Sequence, residues 1–263
     1  MRLGVGSYTF PWAVGVPGHP PKAPLEAAEL LPLAHRLGAK AVQYCENLPL
    51  SRLSPAERRR LRERAAELGL QIEVGTRGTG SQELLEGLEL ARFFGASFLR
   101  VVIDRPGDEP TPEEVAARLR PLAGEFRRAG VRLGLENHDR FPARTLAALV
   151  EGLGEWAGVV LDTANSLAAG EGWETVEGVL GPFALHLHLK DFTVRRQPHG
   201  LGLVVEGAPL GRGLLPAARL LRWELPATLE LWTPFQGDLE ATIALERRWA
   251  EESLAFARTL EVA

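Results

Sequence analysis

Four short strings bring acids and imidazoles together in a pattern that points to metal chemistry. In chain order they are Glu136-Asn137-His138, Asp162 with Asn165 three residues on, His186-Leu-His188-Leu-Lys190-Asp191, and Glu230-Leu-Trp232. Each closes a short run rich in Leu, Val and Ile. A charge in apolar surroundings is costly unless it is paired or bound to a cation. Three carboxylates and one imidazole meeting at one place are most simply stabilised by a single divalent ion. Three oxygen donors and one nitrogen donor suit Mn, Co, Mg or Zn, with water or substrate completing the shell. Each residue alone also has a plain structural explanation, as a cap or a salt-bridge partner. Recurrence at the ends of four successive runs favours the metal.

Those runs belong to a longer alternation. The pattern predicts strands at Leu3–Tyr8, Ala41–Cys45, Gln71–Gly75, Phe98–Ile103, Arg132–Glu136, Gly158–Asp162, Ala184–Leu189 and Ala227–Leu231. Most are continuously apolar, as expected when both faces are buried. Between them the spacing predicts helices at Pro24–Leu37, Pro55–Leu68, Gln82–Phe94 and Pro112–Ala129. Ser54, Ser81 and Thr111 are candidate caps, and Gly38, Gly69, Gly95 and Gly130 candidate stops. Strand, helix, glycine, strand is the grammar of parallel βαβ units. Eight units close into a barrel with no edge strand, so the expected fold is a single α/β domain over residues 1–263, a (β/α)8 TIM barrel. An open doubly wound sheet is the alternative. In a barrel the site forms at the C-terminal strand ends, where all four strings fall. The long unassigned stretches 9–22 and 192–213 would lie over the same face, where lids and binding loops are found.

Bulk properties narrow the function. The 263 residues match the roughly 250 of a typical barrel. A net charge of −4 gives no pull toward nucleic acid or an anionic membrane. The single cysteine, Cys45, permits no internal disulfide, and it and the absence of a signal-peptide pattern make a cytoplasmic location the expectation. No apolar run reaches the roughly 18 residues of a membrane helix. Lysine occurs only at 22, 40 and 190 against abundant arginine, a composition that suits a GC-rich genome.

The strings "LGLENHDR", "VVLDTANS", "LHLHLKDF", "PLGRG" and "ATLELW", in that order and spacing, resemble the xylose isomerase-like TIM-barrel superfamily of sugar phosphate isomerases and epimerases. The resemblance runs the whole chain. It implies Glu136, Asp162, His188 and Glu230 as ligands of one divalent metal ion and a small-molecule carbohydrate as substrate. It also implies proton transfer through a metal-stabilised enediolate, with Glu136 and Glu230 as the catalytic pair on opposite faces of the sugar. Relatives are often dimers or tetramers, so a homo-oligomer is a further expectation by analogy.

Other residues are read as substrate-binding with alternatives open. His186 precedes His188 by two and points to the same side. It is a partner of the metal ligands or a hydrogen-bonded core histidine. Lys190 reaches a substrate hydroxyl, a phosphate or Asp162, or is a solvated rim lysine. Asn165 stands where many relatives have histidine, which argues against a multi-metal site. Asn137 and His138 bind substrate or shape a local turn. Tyr8, Phe10 and Trp12 pack on a sugar or form a buried aromatic plug. Arg100, inside a strand, meets a substrate carboxylate or phosphate or pairs with Glu46. Gln43, Thr76 and Arg77 also end strands in this half. The basic run 58–64 reads as a salt-bridged helix face.

The leading expectation is therefore a metal-dependent sugar, sugar-phosphate or sugar-acid isomerase or epimerase. A metal-dependent lyase, such as a dehydratase of a polyol or keto-inositol, is the alternative. A zinc endonuclease of the same fold needs further histidines, and none occurs between His35 and His138. A binding module that has lost catalysis is the remaining class.

Overall fold

The structure is a computed structural model and describes residues 3–261; the first two and last two positions of the expected domain lie outside these. Strands β1 (Leu3–Gly6), β2 (Ala41–Tyr44), β3 (Gln71–Arg77), β4 (Phe98–Val102), β5 (Arg132–Glu136), β6 (Ala157–Asp162) and β7 (Ala184–Leu189) are followed by a hairpin, β8 (Asp191–Arg196) and β9 (Leu203–Ala208), and then β10 (Ala227–Leu229). The hairpin stands apart. The other eight pair in parallel and close into a barrel in the order β1-β10-β7-β6-β5-β4-β3-β2. This is a TIM barrel. All eight expected strands form, with ends shifted by at most two residues.

Alternation along each strand divides the side chains. Leu133 and Leu135 of β5 face outward and are fully buried in the core. Gly134 and Glu136 therefore face the lumen. On β7, His186 and His188 face inward. The β6–β7 register shifts between Val159 and Val160, and this sets His186 opposite Val160 and His188 opposite Asp162. Gly75 of β3 makes room in the lumen: a Cβ there would lie 2.7 Å from Cys45 Sγ and 3.1 Å from Arg100 Cδ.

The helices are set by local chemistry. Helix α1 (Pro11–Val14) is short. Helix α2 (Ala27–Leu37) ends at left-handed Gly38. Helix α3 (Pro55–Glu67) begins at Ser54, whose side chain and that of Glu57 cap each other's backbone amides. Helix α4 (Ser81–Phe94) is preceded by Gly80, so Ser81 is its first residue and not its cap. The predicted helix 112–129 divides into α5 (Pro112–Leu119), a 3-10 turn and α6 (Ala123–Ala129), because Pro121 in the turn has no amide hydrogen to continue the ladder. Helices α7 (Ala143–Leu153), α8 (Trp173–Leu180), the short α9 (Ala217–Leu220) and α10 (Leu239–Glu261) complete the ring. No helix among the described residues is long and apolar enough to cross a membrane.

Candidate metal centre

Glu136, Asp162, His188 and Glu230 meet at the C-terminal end of the lumen. One ligand atom from each lies within 4.8 Å of the other three, and all four side chains are buried. His188 Nδ1 is 3.2 Å from Glu136 Oε2 and 3.1 Å from Glu230 Oε1. The buried atoms His188 Nδ1, Asp162 Oδ2 and Glu230 Oε1 have no partners apart from the charged groups of the cluster itself and Lys190. Buried polar atoms in that state are rare, and their donor types are those a divalent ion takes. The cluster therefore fits a divalent metal.

The surrounding residues fix these four side chains. Asn137 bridges β5 and β6: its Oδ1 accepts the Asp162 amide hydrogen at 2.7 Å, and its Nδ2 donates to the Asp162 carbonyl at 2.9 Å and to Ser166 Oγ at 3.0 Å. Asp162 Oδ1 accepts the amides of Ala164 and Asn165, both at 2.8 Å, which turns its other oxygen toward the cluster. Asn165 Nδ2 donates to Glu136 Oε1 at 2.9 Å, and Arg100 Nε donates to Glu136 Oε2. Lys190 Nζ lies 3.0 Å from Asp162 Oδ2 and 3.1 Å from Glu230 Oε2, and donates to Asn165 Oδ1 at 3.0 Å. The ammonium also faces the Trp232 ring, 4.9 Å from its centre.

These neighbours decide the protonation states. Burial opposes charge on Glu136, but Arg100, His188 and Lys190 outweigh it and hold the carboxyl well below its usual range. Glu230 is likewise lowered, burial being outweighed by His188 and Lys190. Asp162 moves the other way: burial raises it, Glu136 and Glu230 add to this, and Lys190 opposes. Three acids repelling one another in a dry site call for a compensating cation.

Farther out, Arg100 is 2.7 Å from Glu46 Oε2, and Glu46 Oε1 accepts the Tyr8 hydroxyl at 3.0 Å and lies 3.2 Å from Arg77 Nε. Arg100 is thus paired on both sides within the protein. Trp12 donates its indole hydrogen to the Thr233 carbonyl and stacks with His19 and Phe235. His138 pairs with Asp139 at 3.2 Å. Three residues expected to touch substrate have no exposed surface: Asn137, whose amide is taken up by Asp162 and Ser166, Phe10 and His186. Phe10 belongs to the hydrophobic core. His186 is one layer below the cluster, where its Nε2 meets Thr228 Oγ1 at 2.9 Å and its ring packs edge-on against His188.

The sequence reading assigned no role to Asp191 or Glu246. Asp191 accepts the amides of Phe192, Gly211, Gly213 and Leu215, pinning the 209–215 loop to the base of the hairpin. Glu246 on α10 accepts the amides of Trp12 and Ala13 at 2.9 and 3.1 Å, capping α1. The available signal for Glu246 was an acid on the helix face that carries Ile243, Trp249 and Ala250.

Similarity to known proteins agrees with this fold. The family described as xylose isomerase-like TIM barrel matches residues 31–223. The chain belongs to that family. Within the xylose isomerase-like barrels it is 34% identical to a 3-oxo-isoapionate decarboxylase of Pectobacterium atrosepticum, over 98% of this chain and 96% of the relative. A probable 3-DHS dehydratase, AsbF of Bacillus anthracis, superposes with a TM-score of 0.71 at 14% identity, over 97% of this chain and 98% of that one. The IOLI protein with a bound zinc atom superposes with a TM-score of 0.68 at 17% identity, over 100% of this chain and 97% of that one. At such identities the two structures speak to the fold.

Proposed function

We propose that this enzyme is a divalent-metal-dependent lyase that decarboxylates a 3-oxo sugar acid. The observation that carries the proposal is the state of Glu136. Arg100 donates to its Oε2 and Asn165 to its Oε1, and with His188 and Lys190 nearby the carboxyl is held well below its usual range, which makes it a weak base toward carbon. Relay of a proton between two faces of a sugar needs two free bases. Loss of carbon dioxide from a 3-oxo acid needs none: the bond to the carboxylate carbon breaks, its electron pair moves toward the ketone oxygen, and the carbon left behind takes one proton. The identity to a 3-oxo-isoapionate decarboxylase along the whole chain supports the same reading.

A metal held by Glu136, Asp162, His188 and Glu230 supplies Lewis acidity toward a ketone oxygen. The chain's own residues do the rest. Four carboxylates (Glu46, Glu136, Asp162, Glu230) stand against three cations (Arg77, Arg100, Lys190) in this region. A divalent ion turns that excess of one negative charge into one positive charge, which suits an anionic substrate. Arg77 is the cation with room for a carboxylate: its side chain is about one-third exposed, and its single charged partner is Glu46. Trp232 and Lys190 form the opposite wall.

The test is to incubate the manganese-, cobalt- or magnesium-loaded enzyme with a 3-oxo sugar acid and follow carbon dioxide. Release in step with substrate loss is expected. No carbon dioxide, with solvent deuterium instead entering a ketose beside its carbonyl, would overturn the proposal in favour of the isomerase or epimerase reading. That second reading keeps the support of two glutamates, Glu136 and Glu230, 3.2 and 3.1 Å from His188 Nδ1.

A further inference from the structure

Glu73 is a buried acid that the metal centre does not use. It stands on β3, two residues before Gly75, and faces the lumen, since Ile72 and Val74 on either side of it belong to the hydrophobic core. Barrel lumens are ordinarily filled by branched apolar side chains, and a carboxyl group placed there is costly without polar partners. Glu73 Oε2 accepts from Gln43 Nε2 at 3.1 Å and from Thr228 Oγ1 at 3.3 Å. Thr228 is on β10, beyond β2 and β1 in the barrel and 155 positions away in the chain. The two side chains meet because β1 turns only Gly4 and Gly6 into the lumen. A Cβ on Gly6 would lie 3.3 Å from both Gln43 Cβ and Thr228 Cγ2.

The hydrogens of this group run in one direction. Thr228 has a single hydroxyl hydrogen. Were it turned to His186 Nε2, 2.9 Å away, Thr228 Oγ1 and Glu73 Oε2 would face each other as bare acceptors. So would His186 Nε2 and Glu73 Oε2, 3.5 Å apart. With the hydroxyl donating to Glu73 instead, His186 carries its hydrogen on Nε2 and donates it to Thr228. His186 Nδ1 is then bare, and it is buried with no hydrogen-bond partner. The His186 ring stands edge-on to that of His188, at 90° with 5.6 Å between centres. His188 presents Nδ1 to Glu136 and Glu230, while its Nε2 is buried with no partner. A neutral imidazole that gives Nδ1 to a metal keeps its hydrogen on Nε2. A donor left over on His188 therefore matches an acceptor left over on the adjoining ring.

We propose that Glu73, acting through Thr228 and His186, is a positioning residue that fixes which nitrogen of His188 is bare toward the metal. The chain runs carboxylate, hydroxyl, imidazole, imidazole, from the depth of the lumen to the cluster at its rim. The tautomer of a histidine ligand is set by what its other nitrogen meets, and here that is an acceptor whose own orientation is anchored on Glu73. This role rests on the cluster taking a divalent ion and not on which reaction follows.

Thr228→Val has nearly the shape of the wild-type side chain and breaks the chain at its middle. Its zinc affinity, measured by titration calorimetry, should fall by about 10-fold or more, as outer partners of metal ligands contribute about 10–100-fold. Thr228→Ser keeps the hydroxyl and should bind zinc like wild type. A packing role would order the two variants the other way, since valine fills the space and serine does not. Independently of any variant, nitrogen-15 shifts of histidine-labelled, zinc-loaded wild type should show His186 with its hydrogen on Nε2 and Nδ1 bare. Zinc binding by Thr228→Val as tight as by wild type overturns the proposal. So does a loss that serine does not restore, or a His186 that carries its hydrogen on Nδ1. A wild type that takes up no divalent ion overturns the metal centre itself and this role with it, so the wild-type titration tells the two failures apart.

Discussion

Lys190 Nζ lies 3.0 Å from Asp162 Oδ2, the carboxylate oxygen turned toward the cluster. A side-chain cation therefore already compensates part of the negative charge that a metal would neutralise. Replacing Lys190 by Met keeps the length of the side chain and removes its charge. The metal-free variant should be less stable by about 3–5 kcal/mol, the range for a buried pair that loses one partner. Added divalent ion should restore much of this. Urea unfolding with and without a chelator measures both effects.

His188 is the nitrogen donor of the cluster, and both of its acidic neighbours face Nδ1. His188→Ala should weaken manganese binding by about 100-fold or more, since even the outer partners of ligands contribute about 10–100-fold. Titration calorimetry on chelator-treated protein decides this, and unchanged affinity would remove His188 from the ligand set.

Glu136→Gln and Glu230→Gln should both lower turnover by at least about 100-fold. The two should differ in their response to metal. In the proposed reaction Glu136 serves as a ligand and not as a base, so its variant is expected to recover part of the lost rate at saturating ion. Failure to recover would point to Glu136 as a base and to the isomerase chemistry. Rates as a function of manganese concentration separate the cases.

Asn137 has no contact with solvent and binds both backbone groups of Asp162. Asn137→Ala leaves a buried amide hydrogen and a buried carbonyl without this partner. The expected cost is about 2–6 kcal/mol, at about 1–3 kcal/mol for each of the two groups, together with weaker metal binding because Asp162 is no longer held. Thermal unfolding and metal titration report the two effects.

Glu246 titrates in an unusual range. Burial raises its carboxyl to about 8 from a usual 4.5, against the two amide hydrogen bonds that oppose the shift. The folded protein thus holds a proton that the unfolded chain releases, so the contribution to stability is complete below about 4.5 and is lost as pH rises toward 8. Glu246→Gln cannot ionise, and its amide nitrogen cannot accept the Ala13 hydrogen. The variant should be less stable than wild type at the acidic end of this window, and the gap should narrow or reverse at the basic end. Urea unfolding at both ends is the measurement.

Much of this protein was legible in the linear order of residues. Continuous apolar runs separated by capped helices and stop glycines give a barrel, because the hydrophobic period and the caps are local properties. Strand-end position then places Glu136, Asp162, His188 and Glu230 on one rim, since closure of eight parallel strands brings every C-terminal end to the same face. What the linear order left open were choices between partners. Arg100 had a substrate anion and Glu46 as candidate partners, and the lumen gave it Glu46 and Glu136 together. His186 and Phe10 share the alternation of neighbouring site residues, yet depth in the barrel removes both from the surface. The 192–213 stretch does not read as barrel strand because the hairpin pairs outside the barrel and its outer half is exposed to solvent. Glu246 and Trp12 are 234 positions apart, and that contact exists because α10 closes the ring against α1. Local pattern sets the elements and their faces. Only the closed barrel decides which charged groups share a dry space, and there the energy of a charge depends on every neighbour at once.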